Sequence, residues 1–161
     1  MSERDGPIVF ERTLPLAREA AFDLLVDQIG DWWPRELTFS RDPAADLSIE
    51  PVAGGACTER LPGGSRLVWG TVLSIERPLY LRLAWQISFD RKPVPDPAAA
   101  SRVMIEFRQM ADGTRIELVH GDFLRHGEDG IAYREAMASA EGWPACLDAL
   151  EAAARARPAR R

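Results

Sequence analysis

Between residues 46 and 123 apolar side chains recur with a period of two, and after residue 130 they recur with the period of a helix. That switch constrains the fold more than any other feature of the chain. Leu81, Leu83, Trp85, Ile87 and Phe89 share one face of a strand and Arg82, Gln86 and Ser88 the other. Val103, Ile105 and Phe107 alternate with Arg102, Glu106 and Arg108; Ile116, Leu118 and His120 stand opposite Arg115 and Glu117. One-sided alternation of this kind predicts an antiparallel sheet with one wet face, whose apolar face must be covered by another element. The stretch 131–157 is the one long enough to do so. Trp143, Leu147, Leu150 and Ala154 lie at i, i+4, i+7 and i+11, and Tyr133, Met137 and Ala140 carry a similar stripe back by two turns. Gly142 and Pro144 interrupt it, so a kink is expected there, with the leucines beyond Trp143 as core.

The remaining elements follow in order. Residues 8–14 read as a first strand, closed by Pro15. Phe22, Leu25, Val26 and Ile29 predict a helix over 17–28, with Gly30 as its stop. Asp31-Trp32-Trp33-Pro34 reads as a short second helix or turn, with one tryptophan in the core and the other on a rim. Further strands are expected over 47–52, 56–61 and 66–77, with a bulge near Val72-Leu73. Pro62-Gly63-Gly64-Ser65 and Asp112-Gly113 have the chemistry of hairpin turns. Residues 90–101, rich in Pro, form a loop that is either plain surface or a lid over a cavity mouth.

Length and charge narrow the function. The 161 residues suit one domain, 1–161, ending in a basic frayed tail over 156–161. A net charge of −5 argues against a general nucleic-acid binder. No run reaches the ~20 apolar residues of a membrane span. The N-terminus has no signal-peptide core, so a cytoplasmic location is expected. Cys57 and Cys146 fit no metal spacing and read as buried free thiols. His120 and His126 have no ligand partner at metal spacing, so neither metal nor cofactor is expected. His126, in a Gly-rich loop, reads as solvated. No nucleophile elbow, phosphate-cradling loop or dinucleotide fingerprint occurs.

The order β-α-α-β6-α resembles the helix-grip superfamily called START-like or SRPBCC. The residues that carry the resemblance are Trp32-Trp33, Gly54-Gly55, Gly70-Thr71-Val72, residues 81–85, 113–120 and Gly142-Trp143 with Leu147 and Leu150. Within it the chain is most similar to bacterial homologues of the heat-shock-protein-90 ATPase activator. The resemblance implies an α+β fold in which a curved antiparallel sheet of about seven strands wraps a long C-terminal helix. It implies an apolar cavity between them and, across the superfamily, lipid, sterol, polyketide or hormone ligands.

Residues on the inward strand positions and the facing helix stripe become the candidates for lining that cavity. They are Trp33, Phe39, Trp85, Phe89, Phe107, His120, Tyr133, Met137 and Trp143. His120 would share a face with Asp122 if its strand continued, and the pair would make a general base near neutral pH. The leading expectation is non-covalent binding of a hydrophobic or aromatic small molecule. A cyclase- or hydrolase-like enzyme using His120 and a protein-interaction or co-chaperone-like module are the alternatives, and a homodimer is left open.

Overall fold

The computed structural model of the protein describes residues 6–157, so the tail expected at 156–161 lies outside them from residue 158 onward. Seven strands run β1 (Ile8–Leu14), β2 (Asp46–Ile49), β3 (Ala56–Arg60), β4 (Arg66–Glu76), β5 (Tyr80–Trp85), β6 (Ser101–Met110) and β7 (Gly113–Gly121). They form one antiparallel sheet in the order β1-β7-β6-β5-β4-β3-β2. β2 to β7 meander, each pairing with the next, and β1 joins beside β7. Helix α1 (Arg18–Phe22), continued by a π-helical turn over Asp23–Asp27, and helix α2 (Ile29–Trp32) fill the connection from β1 to β2. Helices α3 (Gly130–Ala138) and α4 (Trp143–Ala156) follow β7. This is the α+β helix-grip layout that the two periodicities and the resemblance imply.

The alternation reads out directly in the register. Leu81 pairs with Ile105 and Ile105 with Leu118; Leu83 pairs with Val103 and Val103 with His120. All of these side chains are buried, whereas Arg82, Glu106 and Arg108 on the other face are exposed. Register shifts at Cys57/Thr58 and between Val72 and Ser74, the latter where a bulge is expected, bend β3 and β4 and help curl the sheet. Against its concave face α4 buries Trp143, Cys146, Leu147, Leu150 and Ala154.

Four local readings change. First, the expected kink is a full break: residues 139–142 leave the helix and α4 restarts with Pro144 in its first turn. A Cβ on Gly142 would lie 2.3 Å from the Met137 carbonyl oxygen, so only glycine permits this return. Second, both tryptophans of the Trp32-Trp33 pair are buried. Helix α2 ends at Trp32, and Trp33 at φ −59, ψ 130 is no longer helical, so the two side chains are freed from one helical face. Third, Gly30 does not stop a helix but sits inside α2, where a Cβ would be 2.4 Å from Asp46 Oδ1; it admits β2 close to the helix. Fourth, the strand expected over 81–89 ends at Trp85. The chain turns after Ser88, and Ile87 makes only an isolated bridge to Pro93, because prolines at 93 and 95 offer no ladder donors.

Candidate functional site

A pocket of about 300 Å³ opens where the end of β5, the following loop, α3 and the α3–α4 break converge. Trp85 ends β5 on the concave face. Phe39 and Trp33 stand against it, with ring centroids 5.3 and 6.4 Å away. Phe39 is placed by Glu59, a fully buried carboxylate on β3 that accepts from the Phe39 and Ser40 backbone N–H groups at 2.7 and 2.8 Å. Two charge-assisted bonds to main-chain donors satisfy a group that burial would otherwise penalise heavily. Tyr133, Ala136 and Met137 form the α3 wall, and Ile87, Phe89 and Arg91 form the loop side. Cys146 and Gly142 complete the floor.

Polar groups enter the pocket from two places, Tyr133 and Arg91 beside β5, and Ser139 and Glu141 at the α3–α4 break. The Tyr133 hydroxyl accepts from Trp85 Nε1 at 2.8 Å and donates to the Ile87 carbonyl oxygen at 2.7 Å. Burial pushes the Tyr133 phenol above its ordinary pKa, while the Trp85 bond and the nearby Arg91 charge oppose the rise. Tyr133 is therefore a neutral hydrogen-bonding group with one oxygen lone pair uncommitted. Arg91 donates to the Thr38 carbonyl oxygen at 3.4 Å and forms no ion pair among the described residues. Burial, with Glu36 adding to it, pushes the Cys146 thiol up to about 12, which makes it an inert part of the wall; Cys57, also free, is raised to about 12 by burial alone.

Trp33, Phe39, Trp85, Phe89, Tyr133 and Met137 are the sequence-expected residues that the fold brings together here. Three others stand elsewhere. Phe107 packs on Phe22 of α1 with centroids 5.0 Å apart, and Arg77 caps that ring at 4.7 Å. Trp143 lies behind Trp85, centroids 5.2 Å apart, and donates from Nε1 to His120 Nδ1 at 2.9 Å. His120 is fully buried, bonded on its other nitrogen to Ser101 Oγ at 2.8 Å and packed 4.1 Å from Phe123. Desolvation holds its pKa well below the ordinary 6.5, with the neighbouring His126 acting in the same direction.

The His120–Asp122 pair does not form. β7 ends at Gly121, and Asp122 turns away at φ 61 to meet Arg125 at 3.8 Å, exposed to solvent. His126, expected to be solvated, is instead half-buried and accepts from Ser101. Arg91 and Glu59 were not among the candidates. Arg91 stands in an irregular loop outside any periodic pattern, and Glu59, although it alternates with Cys57 and Leu61, carries a charge that argues against a buried position. Among the described residues no group of three or more His, Cys, Asp or Glu could hold a metal ion, and no helix is long and apolar enough to cross a membrane.

The chain shares its fold with several solved structures. An anthrahydroquino-gamma-pyrone synthase, Txn09, is 27% identical, with a TM-score of 0.65 over 94% of this chain and 99% of that one. A protein from Mesorhizobium loti is 21% identical, with a TM-score of 0.65 over 94% and 99%. CalC, a self-sacrificing resistance protein from Micromonospora echinospora, is 17% identical, with a TM-score of 0.64 over 94% and 96%. The last two likenesses speak for the fold alone. No curated protein matches the sequence. The family model for activator of Hsp90 ATPase homolog 1-like proteins matches residues 16–155, and with that match covering strands β2 to β7 and nearly all of both C-terminal helices, the chain belongs to this family.

Proposed function

We propose that the protein binds a small hydrophobic or aromatic molecule, without covalent chemistry, in the pocket between Trp85 and α3. The observation that carries the reading is a preformed, aromatic-walled opening of about 300 Å³ whose few polar groups are Tyr133 and Arg91 beside β5 and Ser139 and Glu141 at the α3–α4 break. That volume falls at the lower limit of the ~300–1,000 Å³ range of ligand sites, and a mostly apolar wall with few convergent polar groups is their usual composition. A ligand hydroxyl or N–H would meet the uncommitted lone pair of Tyr133, and Arg91 would favour an anionic or electron-rich oxygen beside it. The synthase likeness supports an aromatic ligand. It also supports a second reading, catalysis on such a molecule, for which Tyr133 and Arg91 face the pocket and the fully buried His120 does not. A co-chaperone role draws no support from the surface, where the exposed large apolar residues Val9, Val52, Val68, Leu79, Phe89, Met110 and Leu124 stand on different elements. A cytoplasmic, single-domain protein is the setting this reading assumes.

Trp33 and Trp85 line the pocket, so a bound aromatic quenches intrinsic fluorescence. Titration with N-phenyl-1-naphthylamine and a panel of hydroxylated planar aromatics is expected to saturate for at least one compound. Ala136 is exposed on α3 and lines the mouth, so Ala136→Trp should abolish saturation with Tm nearly unchanged. Quenching that persists in this variant, or no saturation by any compound, would overturn the proposal.

A further inference from the structure

Two histidines and a serine form a hydrogen-bonded chain in which every proton is assigned by two groups that can only donate. Trp143 Nε1–H has no acceptor capacity, so His120 Nδ1, 2.9 Å away, must be bare. A neutral His120 then carries its proton on Nε2 and donates to Ser101 Oγ at 2.8 Å. The backbone N–H of Ser101 likewise can only donate, and it points at His126 Nε2 at 3.1 Å, so that nitrogen is bare as well. Ser101 Oγ, having accepted from His120, gives its own proton to the same nitrogen at 2.7 Å. His126 is left with its proton on Nδ1, which is buried without a partner. The chain runs one way, Trp143 to His120 to Ser101 to His126, and every link requires both rings to be neutral.

We propose that His126 is an acid-sensitive latch on the pocket wall: neutral, it ties the turn Phe123–Asp129 to the start of β6 and backs Tyr133; protonated, it releases them. A second proton on His126 would occupy Nε2, facing the Ser101 N–H and hydroxyl. The hydroxyl can turn its proton aside and accept from both rings, but His120 cannot shift its own proton to Nδ1 without colliding with Trp143 Nε1–H. The backbone N–H cannot reverse at all. The clash between that fixed donor, 3.1 Å away, and the new proton is relieved when His126 leaves.

His126 is also the member that acid can reach in the folded state, being half-buried where His120 has no exposed surface. Its own turn carries Arg125, Glu128 and Asp129, with Asp122 before it, and the elements packed against that turn carry Arg102 on β6, Tyr133 and Arg134 on α3, and Asp96 beside the Pro97–Ala99 turn, with His120 on β7 acting on the same ring. Among the described residues only Ser101 hydrogen-bonds to the ring. Burial holds the His126 pKa below 6.5. The unfolded or released state therefore takes up the proton first, so the contribution of the latch is complete above about pH 6.5 and is lost as pH falls below it. The His126 ring stands edge-on to Tyr133 with centroids 5.0 Å apart, and Tyr133 holds Trp85 and Ile87 in the pocket wall. Release of the latch thus lowers ligand affinity, a consequence that rests on the function proposed above.

Imidazole nitrogen NMR and amide exchange on the ligand-free protein test the latch directly. At pH 7.5 His126 should carry its proton on Nδ1, and His120 on Nε2. From pH 6.5 to 5 the protection factors of Ser101 and residues 123–129 should fall severalfold, while β6 and β7 beyond them stay protected. His126→Gln places an untitratable oxygen where Nε2 stood, so it should keep its protection at pH 5. A His126 proton on Nε2, or the same acid response in His126→Gln, would overturn the latch. The binding arm uses N-phenyl-1-naphthylamine at both pH values. Affinity lost at pH 5 in the wild type but retained in His126→Gln supports control of the pocket. Equal loss in both proteins overturns that control, and no binding at either pH counts against the pocket while the exchange data still judge the latch.

Discussion

Helices α3 and α4 arise from one helical pattern, yet they do opposite things. α4 buries five side chains against the sheet, whereas α3 buries only Gly130 and Tyr133. α4 is also tied to β1 through Arg12, which meets Glu151 at 2.6 Å and Asp148 at 3.4 Å. α3 rests chiefly on the short turn that precedes it and leaves Ala136 and Met137 facing the pocket. The break at residues 139–142 makes this possible, because it lets α4 follow the sheet while α3 stands off from it. The comparison separates apolar surface used for packing from apolar surface kept free for a guest.

The contrast can be broken by substitution, beginning where the largest effect is expected. Leu150 on α4 has no exposed surface, so Leu150→Ala should cost about 2–5 kcal/mol through lost burial and the cavity left behind. Urea denaturation measures it, and a loss under ~1 kcal/mol would mean that α4 is not the core element described. Tyr133→Phe probes the buried, hydrogen-bonded side chain of α3. It leaves the Trp85 N–H and the Ile87 carbonyl without a partner, for a loss of about 1–3 kcal/mol in the same assay. Hydroxylated aromatics should lose their advantage over their methoxy analogues in this variant; an unchanged preference would remove Tyr133 from recognition. Met137→Ala should be the mildest, about 1 kcal/mol or less for a half-exposed side chain, while lowering probe affinity severalfold. A destabilisation as large as that of Leu150→Ala would erase the distinction between the two helices.

Much of the fold was legible because strand alternation survives in local sequence. Leu83, Val103 and His120 were expected on one face and are found in one cross-strand row. The bulge beside Val72 and the hairpin at Asp112-Gly113 were legible for the same reason, since each depends on a few neighbouring residues. The site was legible only in part. Phe107 and Trp85 share the inward face, but one meets Phe22 and the other an open pocket, a difference set by which helix lies over each position. Trp33 could be placed only once α2 was seen to end one residue before it. Ser101 carries no signal at all by itself; its role comes from standing between two rings that are distant in sequence.

Sequence by itself determined the one-sided sheet, the helix that must cover it and an interruption of that helix near Gly142, expected as a kink and found as a full break. Those outcomes follow from side-chain period, glycine sterics and proline geometry, which act over a few residues. Tertiary structure alone decided where covering stops and the pocket begins, which aromatic rings face empty space, and which nitrogen of each histidine bears a proton. These depend on sheet curvature and on hydrogen-bond donors brought together from distant strands and helices, and no local pattern encodes such a meeting.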